Sequence, residues 1–434
     1  EMGIYGTKKL FFVLERYGIP GKTVIINGVN PVVECDLCRC KRKEQQRYVE
    51  QIKKEFSNSK IIFTPQFPEE IRGISKLEEL GEILAGKPYS YEYIPLSHRI
   101  DAEERQLERQ AIKIEAFLKT GKPGLFFFGG KGGVGKTTVG AATALYLARA
   151  LPDKRILIFS TDPVHSLSAS FGIQIGNRLT QINEFSNLYG LEIDADSLLE
   201  EFKKQYRDAI DKMFKGFTRE DLHMDISFDG EIMSEMITLT PPGLDELMAL
   251  KKILDLMNNR EFDLFILDTA PTGHLIRLLK LPNLVKEWLS AIARLQRKYR
   301  NVVDLYKSIE LVMKLKKDII NLEKWMLDPE RTEFITITIP EAMAIFETKK
   351  LLNELNSLGV PSNRIIVNRV VPRNDCSFCR SRRKEQQKYI KELSKSLPEY
   401  EIVQAPLFPH EIKGVSSLVN YAEVLFESHH QIFH

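Results

Sequence analysis

Residues 124–138, GLFFFGGKGGVGKTT, decide the fold of this chain. The apolar run 125–128 predicts a buried β-strand, which a pair of glycines ends. Residues 130–137 then satisfy the phosphate-loop pattern G-x-x-x-x-G-K-[ST]. Its glycines let backbone N–H groups approach phosphate oxygens, and the helix predicted over 138–150 directs its positive end at the same anion. Strand, loop and helix in this order predict a nucleotide-binding α/β domain.

The side chains of this loop suit a Mg²⁺-bound triphosphate. Lys136 supplies a positive charge for the β- and γ-phosphates, and Thr137 supplies a hydroxyl for Mg²⁺. We therefore predict ATP and Mg²⁺ as cofactors. The residues predicted to bind the nucleotide here are Gly130, Lys131, Gly132, Gly133, Val134, Gly135, Lys136, Thr137 and Thr138.

Lys131 is an addition to the ordinary phosphate loop, since that loop needs only one lysine. The resulting pattern, K-G-G-x-G-K-[ST], resembles the deviant phosphate loop of dimerising ATPases related to the nitrogenase iron protein, the septum-positioning ATPases, and the arsenical-pump and tail-anchored-protein-targeting ATPases. In these families the matching lysine reaches the partner's nucleotide. The resemblance implies catalytic roles for Lys131 and Lys136, and a second ATPase lobe, either in cis or in a homodimer.

Composition restricts the class of protein. The 434 residues allow two or three domains, and the 43% hydrophobic and 28% charged content is ordinary for a soluble protein. A net charge of +3 gives no support for nucleic acid as a partner. No run of 18 apolar residues occurs, so no transmembrane helix is expected, and we predict a cytoplasmic protein.

An internal repeat defines the domain organisation. Residues 2–77 align with 343–418 at a constant offset of 341, and about 30 positions are identical. The first repeat has no phosphate loop before it, so we interpret 1–86 as the C-terminal half of a truncated first ATPase copy. A natural half-lobe is the alternative. Residues 87–123 are predicted to be a linker, with a helix over 101–119, and 124–434 a complete ATPase domain.

Two carboxylates follow predicted strands. Asp268 ends the apolar run 262–267, as a Walker B aspartate that holds Mg²⁺ does. Asp162 follows the run 155–160 within TDPVHS, which resembles a switch of the arsenical-pump and tail-anchored-protein-targeting ATPases. The resemblance implies that Asp162 orients or deprotonates the attacking water; a helix N-cap is the alternative. The string DTAPTGH matches the second switch of that family, with His274 as a hydrogen-bonding switch residue.

Four further residues are predicted nucleotide contacts because of the same resemblance. The family has a nucleotide-contacting glutamate after the strand predicted over 334–339, which corresponds to Glu341. Asn368 ends the strand predicted over 364–367, and its amide can donate to and accept from an adenine edge. Pro406 and Phe408 belong to a stretch that resembles the adenine-side loop.

The cysteines form two C-x-x-C pairs, Cys35 with Cys38 and Cys376 with Cys379. Each pair is half of a tetrahedral zinc site, and two facing lobes would bring the halves together. We therefore predict Zn²⁺ bound by all four thiolates, with a redox-switchable dithiol or inert thiols as alternatives. Cys40 has no counterpart in the second repeat and is expected to be a spectator.

The fold expected from these features is a doubly wound, mostly parallel sheet of the P-loop NTPase class with an inserted helical subdomain over about 196–258 and 283–330. Methionines and apolar stripes in this subdomain are interpreted as helix packing or as a groove for an apolar helix. Because the C-x-x-C pair resembles that of the tail-anchored-protein-targeting ATPases, the leading hypothesis is a dimerising ATPase that binds hydrophobic transmembrane helices of clients or of a membrane receptor.

Two other functions remain open. The ATPase subunit of an arsenite or antimonite efflux pump is the main alternative, although the helical region near 238–243 lacks the cysteines that such pumps use for metalloid. A membrane-surface partitioning ATPase or a metal-cluster ATPase is the third hypothesis. The partitioning version needs an amphipathic anchor, and the iron–sulfur version needs cysteines near the switches, where the sequence has none.

Overall fold

The computed structural model describes residues 2–89, 111–117, 124–161, 166–215, 244–269, 290 and 306–427. Its strands fall into two sheets. A two-stranded parallel sheet is formed by β1 (Thr23–Val29) and β2 (Lys60–Pro65). The strands of the main sheet are β3 (Gly124–Gly129), β4 (Ile156–Ser160), β5 (Thr180–Gln181), β6 (Leu188–Glu192), β7 (Leu264–Asp268), β8 (Thr332–Thr338), β9 (Arg364–Val370) and β10 (Glu401–Pro406).

In the described part of the chain the main sheet has eight strands, in the order β10-β9-β8-β3-β7-β4-β6-β5. The strands pair in parallel except that β5 pairs with β6 in the antiparallel sense. The chain runs from β3 to β4 on one side and later forms β8, β9 and β10 on the other. Parallel sheets bind ligands where the strand order reverses, which here is the carboxyl end of β3. The predicted doubly wound, mostly parallel fold is confirmed.

Helices connect these strands. In chain order they are α1 (Met2–Arg16), α2 (Asp36–Glu55), α3 (Ile74–Leu84), α4 (Lys136–Ala150), α5 (Ser166–Phe171), α6 (Ala195–Lys215), α7 (Leu244–Asn258), α8 (Tyr306–Met326), α9 (Ala342–Leu358), α10 (Ser377–Ser396) and α11 (Val415–Phe426). None of them, over the residues described, is apolar for long enough to cross a bilayer.

The strand before the phosphate loop shows why its sequence is apolar throughout. Leu125 and Phe127 join a core cluster on one face of the sheet, whereas Phe126 and Phe128 join the cluster on the other face. Both faces are covered by helices, so alternation of polar and apolar residues is absent from this strand. Helix α4 covers the second face with α11, beside the loop that it follows.

The helical region between the strands is described in part. Helices α6, α7 and α8 contact one another, and Met248, Met257, Leu315, Ile319 and Leu322 from this group are buried in the core. For these side chains the packing interpretation is therefore confirmed. Residues 216–243, 270–289 and 291–305 lie outside the described residues, and so does most of the predicted groove.

Part of the predicted linker belongs to the core. Of the helix expected over 101–119, the structure describes 111–117, where a 3-10 helix spans Ile114–Phe117. The Phe117 and Phe126 ring centroids are 4.8 Å apart, and the Ile112 N–H donates to the Leu425 carbonyl at 3.0 Å. This short piece is therefore anchored against the main sheet and α11.

Candidate nucleotide-binding site and cysteine cluster

The phosphate loop fits closely between neighbouring strands. Gly130 has a φ of 150°, and a Cβ there would lie 2.0 Å from the Ile337 carbonyl oxygen. Gly135 has a φ of 97°, and a Cβ there would lie 2.4 Å from Asn368 Nδ2. Both positions therefore require glycine for conformation and for space. Helix α4 begins at Lys136, so its positive end faces the loop as predicted.

The predicted Mg²⁺ ligands lie together at the ends of β3 and β7. Thr137 Oγ1 donates to Asp268 Oδ2 at 2.8 Å, and Ser160 Oγ lies 3.4 Å from the same oxygen. Asp268 is buried, as expected for a carboxylate that ends a central strand. Lys136 is also buried, and its Nζ lies 3.4 Å from the Lys131 carbonyl oxygen. A hydroxyl and a carboxylate at this spacing suit a hard divalent cation.

A cleft of about 1160 Å³ opens at this edge of the sheet. Most of the predicted nucleotide contacts line it, namely Gly132, Gly133, Gly135, Lys136, Thr137, Thr138, Glu341, Asn368, Pro406 and Phe408. The sequence therefore identified residues from four separate stretches that the fold brings to one cavity. Asp162 and the switch 270–274 lie outside the described residues, so the roles assigned to them stay predictions.

Asn368 connects the phosphate loop to its neighbours. Its Nδ2 donates to the Val134 carbonyl at 2.9 Å, and its Oδ1 accepts from the Tyr421 hydroxyl at 2.8 Å. Tyr421 also packs edge-on against Phe408, with ring centroids 5.3 Å apart. The amide thus holds the loop in place from within the cleft, and its contact with adenine stays a prediction.

Glu341 and Lys131 lie near each other at the start of α9. Burial raises the pKa of Glu341, with Glu70 adding repulsion and Lys131 opposing it. Lys131 Nζ lies 3.6 Å from Glu347 Oε1 of the same lobe, and both side chains are about one-third exposed. Reach of Lys131 to a nucleotide on a facing lobe stays a prediction.

The two C-x-x-C pairs meet, as the sequence analysis expected. The Sγ atoms of Cys35, Cys38, Cys376 and Cys379 all lie within 4.8 Å of one another. Three Sγ–Sγ distances are 3.4, 3.7 and 3.8 Å. A tetrahedral Zn²⁺ with Zn–S bonds of about 2.3 Å separates its sulfurs by about 3.8 Å, so the donor set fits this metal.

The surroundings of the cluster act on the pKa values of its thiols in opposite directions. Cys35 and Cys376 are the N-cap residues of α2 and α10, so two positive helix ends meet the four sulfurs. A hydrogen bond from Cys379 lowers the pKa of Cys38 to about 6, whereas burial raises the pKa of Cys376 to about 12. Few of the four sulfurs are therefore negatively charged until a cation binds.

The first segment, residues 2–86, contacts the second lobe, which comprises residues 124–427, through reciprocal hydrogen bonds. The Tyr48 hydroxyl donates to Glu411 Oε2 at 2.7 Å, and the Tyr389 hydroxyl donates to Glu70 Oε2 at 2.5 Å. Tyr48 and Tyr389 are 341 residues apart in the sequence, as are Glu70 and Glu411. Glu70 also accepts from the Ala342 N–H at the start of α9, at 2.9 Å. The repeat therefore produces an interface with matching halves.

Several site residues were missed by the sequence analysis. Ser160 contacts Asp268, Thr269 Oγ1 donates to the Phe128 carbonyl at 2.9 Å, and Tyr421 holds Asn368. Ser160 and Thr269 end or follow strands that the sequence analysis did identify, so their position was a usable signal. Tyr421 lies on α11, about 50 residues beyond Asn368, and no local pattern connects the two.

Comparison with known proteins places these features in a family. The family described as anion-transporting ATPase (ArsA ATPase) matches residues 1–86 and 124–427. The chain belongs to the anion-transporting ATPase family. The two matched ranges flank the predicted linker, and the second contains the phosphate loop, Asp268 and the Cys376–Cys379 pair.

Curated relatives match this chain over most of their own length. An ATPase ASNA1 homolog of Dictyostelium discoideum is 31% identical over 329 residues, which is 72% of this chain and 93% of the relative. ATPase GET3 of Chaetomium globosum and ATPase get3 of Schizosaccharomyces pombe are each 30% identical, covering 69% of this chain and 89% and 90% of their own lengths. All three are named as ATPases, in agreement with the phosphate loop and the predicted Mg²⁺ ligands.

Proposed function

We propose that this chain is a Mg²⁺-dependent, dimerising ATPase that binds and targets the hydrophobic helices of tail-anchored membrane proteins. The observation that supports it most is the junction of two C-x-x-C pairs beside a phosphate loop. This pairing resembles the tail-anchored-protein-targeting ATPases, whereas the arsenical pumps bind metalloid through cysteines elsewhere. The first segment is part of a facing ATPase lobe in cis, and the alternative is a homodimer in trans.

In the ATPase step, the backbone N–H groups of the loop and Lys136 bind the phosphates. Thr137 and Asp268 would hold Mg²⁺, which would supply positive charge to neutralise the phosphate oxygens. Asp162 orients or deprotonates the attacking water, and Lys131 adds positive charge to a nucleotide on a facing lobe. Glu341, Asn368, Pro406 and Phe408 hold the nucleoside side of ATP.

We propose a structural role for zinc. Cys35, Cys38, Cys376 and Cys379 would hold one Zn²⁺, which crosslinks the first segment to the second lobe. The bond distances that this metal requires agree with the spacing of the four sulfurs. Zinc in such a closed site supplies rigidity rather than chemistry, so the two halves of the interface stay in register while the cleft changes with nucleotide.

A client-binding experiment tests this function. The full chain is mixed with a fluorescent peptide that carries a C-terminal transmembrane helix, with ATP, with ADP and without nucleotide. We expect capture of the peptide that depends on ATP, because only ATP can favour the closed arrangement of the lobes. Met313 on α8 is 51% exposed, so Met313→Asp is expected to reduce capture.

The matched control is Leu179→Asp, which changes an exposed aliphatic side chain, 41% exposed, near the edge strand β5. It is expected to leave capture unchanged. ATP turnover is measured in parallel with and without arsenite. Turnover stimulated by arsenite, together with no capture of the peptide, would overturn the targeting function in favour of an efflux-pump subunit. Turnover lost in Lys136→Ala would confirm hydrolysis at this loop in either case.

A further inference from the structure

The cleft beside the phosphate loop has a second wall, built by the first segment. Residues of α1 and α2 line it opposite the loop, among them Lys9, Lys41, Glu44 and Tyr48. In total, six basic and three acidic side chains line the described cleft, a balance that favours a polyanionic ligand. The nucleotide site therefore includes side chains that precede the loop by about 90 residues in the sequence.

Two of the charged or polar groups on this wall are already occupied. Glu44 Oε1 accepts from the Glu411 N–H at 2.7 Å, and the Tyr48 hydroxyl donates to Glu411 Oε2 at 2.7 Å. Lys9 is exposed to solvent. Lys41 differs from all of these, since it is half-buried and no residue in the described ranges forms a hydrogen bond or an ion pair with it.

The repeat explains why Lys41 lacks a partner. Its counterpart 341 residues later is Arg382. The two terminal nitrogens of Arg382 donate to Gln66 Oε1 at 3.1 and 3.3 Å when the Gln66 amide oxygen is turned toward the guanidinium. The Arg382 guanidinium also lies over the Phe378 ring, 6.0 Å from its centroid. The Gln66 amide and the Phe378 ring, which hold Arg382, both lie within the repeat, so each has a counterpart 341 residues away.

At the corresponding positions around Lys41 these groups are replaced by leucines. Gln66 corresponds to Leu407 and Phe378 to Leu37, and both leucines line the cleft. Neither can accept a hydrogen bond, and neither offers a ring face to a cation. The amide and the ring that hold Arg382 therefore have no equivalent around Lys41, although Lys41 carries the same positive charge as Arg382.

The electrostatic surroundings of Lys41 also favour an incoming anion. Burial lowers the pKa of Lys41, and the positive charges of Arg369 and Arg382 act in the same direction, against Glu44 and Glu411. A desolvated ammonium group is unfavourable unless a hydrogen-bonding anion compensates it. The phosphate chain of a nucleotide held at Gly132, Gly133 and Lys136 is an anion in the same cleft.

We propose that Lys41 is a phosphate-binding residue of the nucleotide site, supplied by the first segment to the loop of the second lobe. The proposal rests on the proposed function, since it requires ATP to bind in this cleft. It gives the first segment a direct role in nucleotide affinity that is separate from the role of Lys131. It also makes the site asymmetric, because the counterpart Arg382 is held by protein groups.

The test compares Lys41→Met with Lys43→Met in the full chain. Lys43 lies on the same helix, is exposed, and does not line the cleft. Binding of ATP, ADP and adenosine is measured by displacement of a fluorescent ATP analogue at two salt concentrations. We expect Lys41→Met to weaken ATP about tenfold or more, with a smaller loss for ADP and none for adenosine. Lys43→Met should match the wild type, and Lys41→Arg should recover most of the ATP affinity.

The outcomes separate this proposal from the function on which it rests. If the wild type fails to bind ATP, or Lys136→Ala binds it equally well, ATP binding at this loop is wrong. If the wild type binds ATP, Lys136→Ala loses it and Lys41→Met retains it, the role of Lys41 alone is overturned. An equal loss of affinity for adenosine and for ATP in Lys41→Met would also overturn the role of Lys41. That result would indicate that the substitution changes the shape of the cleft rather than removing a contact with the phosphates. Circular dichroism of Lys41→Met, expected to match the wild type, checks its fold.

Discussion

The first segment, residues 2–86, and its counterpart, residues 343–427, share local contacts, but several apolar positions that are buried in the counterpart are exposed in the first segment. Gln45 Nε2 donates to the Gly28 carbonyl at 3.0 Å, and Gln386 Nε2 donates to the Arg369 carbonyl at 3.1 Å, each pair 341 residues from the other. Yet β1 pairs only with β2 among the described strands, whereas β9 lies between β10 and β8. Local sequence thus sets the helix-to-strand contacts, and the neighbouring strands set the burial.

Identical residues show the difference most directly. Leu10 is 55% exposed and Leu351 is 1% exposed, although both are leucines at equivalent positions of α1 and α9. Likewise, Ile25 is 52% exposed and Ile366 fully buried. Burial is therefore a property of the whole sheet, and an apolar residue in the repeat does not by itself indicate a core.

The cysteine cluster is where the two segments are equivalent, and it should give the largest effect. Zinc bound by four thiolates contributes about 10–16 kcal/mol of apparent binding energy in small structural sites. Cys38→Ser and Cys379→Ser are each expected to reduce zinc from about one ion per chain to a small fraction, since each removes one of four ligands. Metal analysis of purified protein measures this.

Cys40→Ser is the matched control for the cluster and should keep its zinc, because Cys40 is not among the four clustered sulfurs.

Acid should also release the metal. Zn²⁺ must displace the thiol protons, and burial raises the pKa of Cys376, so affinity falls as the pH falls. Zinc retained in Cys38→Ser but lost in Cys379→Ser would show that only the second lobe holds the metal.

The leucine pair tests the difference in burial. Leu351→Ala should lower the free energy of unfolding by about 2–5 kcal/mol, because it leaves a cavity in a close-packed core. Leu10→Ala should change it by less than about 0.5 kcal/mol, as for most exposed positions. Urea denaturation of the two variants beside the wild type gives both values. A cost at Leu10 as large as that at Leu351 would mean that the exposed face of the first segment is covered in solution.

Sequence patterns were sufficient for parts of the molecule where chemistry dictates local geometry. Residues 124–138 predicted β3, the loop and α4, and the equivalent positions of the two C-x-x-C pairs in the repeat predicted that facing lobes would bring the pairs together. Met248 and Met257 could not be assigned in this way, because helical periodicity marks an apolar face without saying what covers it. Likewise, the Tyr421–Asn368 hydrogen bond and the leucines around Lys41 depend on contacts between segments distant in the chain.

The smallest expected effect comes from the reciprocal hydrogen bonds between the two segments. Tyr389 donates to Glu70 in a partly buried place, whereas Tyr48 donates to Glu411 at an exposed one. A hydrogen bond to a charged group contributes about 1.5–3 kcal/mol when buried, and less in solvent. We therefore expect Tyr389→Phe to lower the free energy of unfolding by about 1.5 kcal/mol and Tyr48→Phe by less than about 0.5 kcal/mol.

Double-mutant cycles with Glu70→Gln and Glu411→Gln isolate each pair. The Glu70 cycle should give the larger coupling, because the Tyr389–Glu70 contact is partly buried whereas the Tyr48–Glu411 contact is exposed to solvent. Loss of the Tyr389 hydroxyl leaves the negative charge of Glu70 less compensated beside Glu341. Equal coupling in the two cycles would mean that solvent screens both pairs alike, and that the repeat makes this interface energetically symmetric as well as geometrically matched.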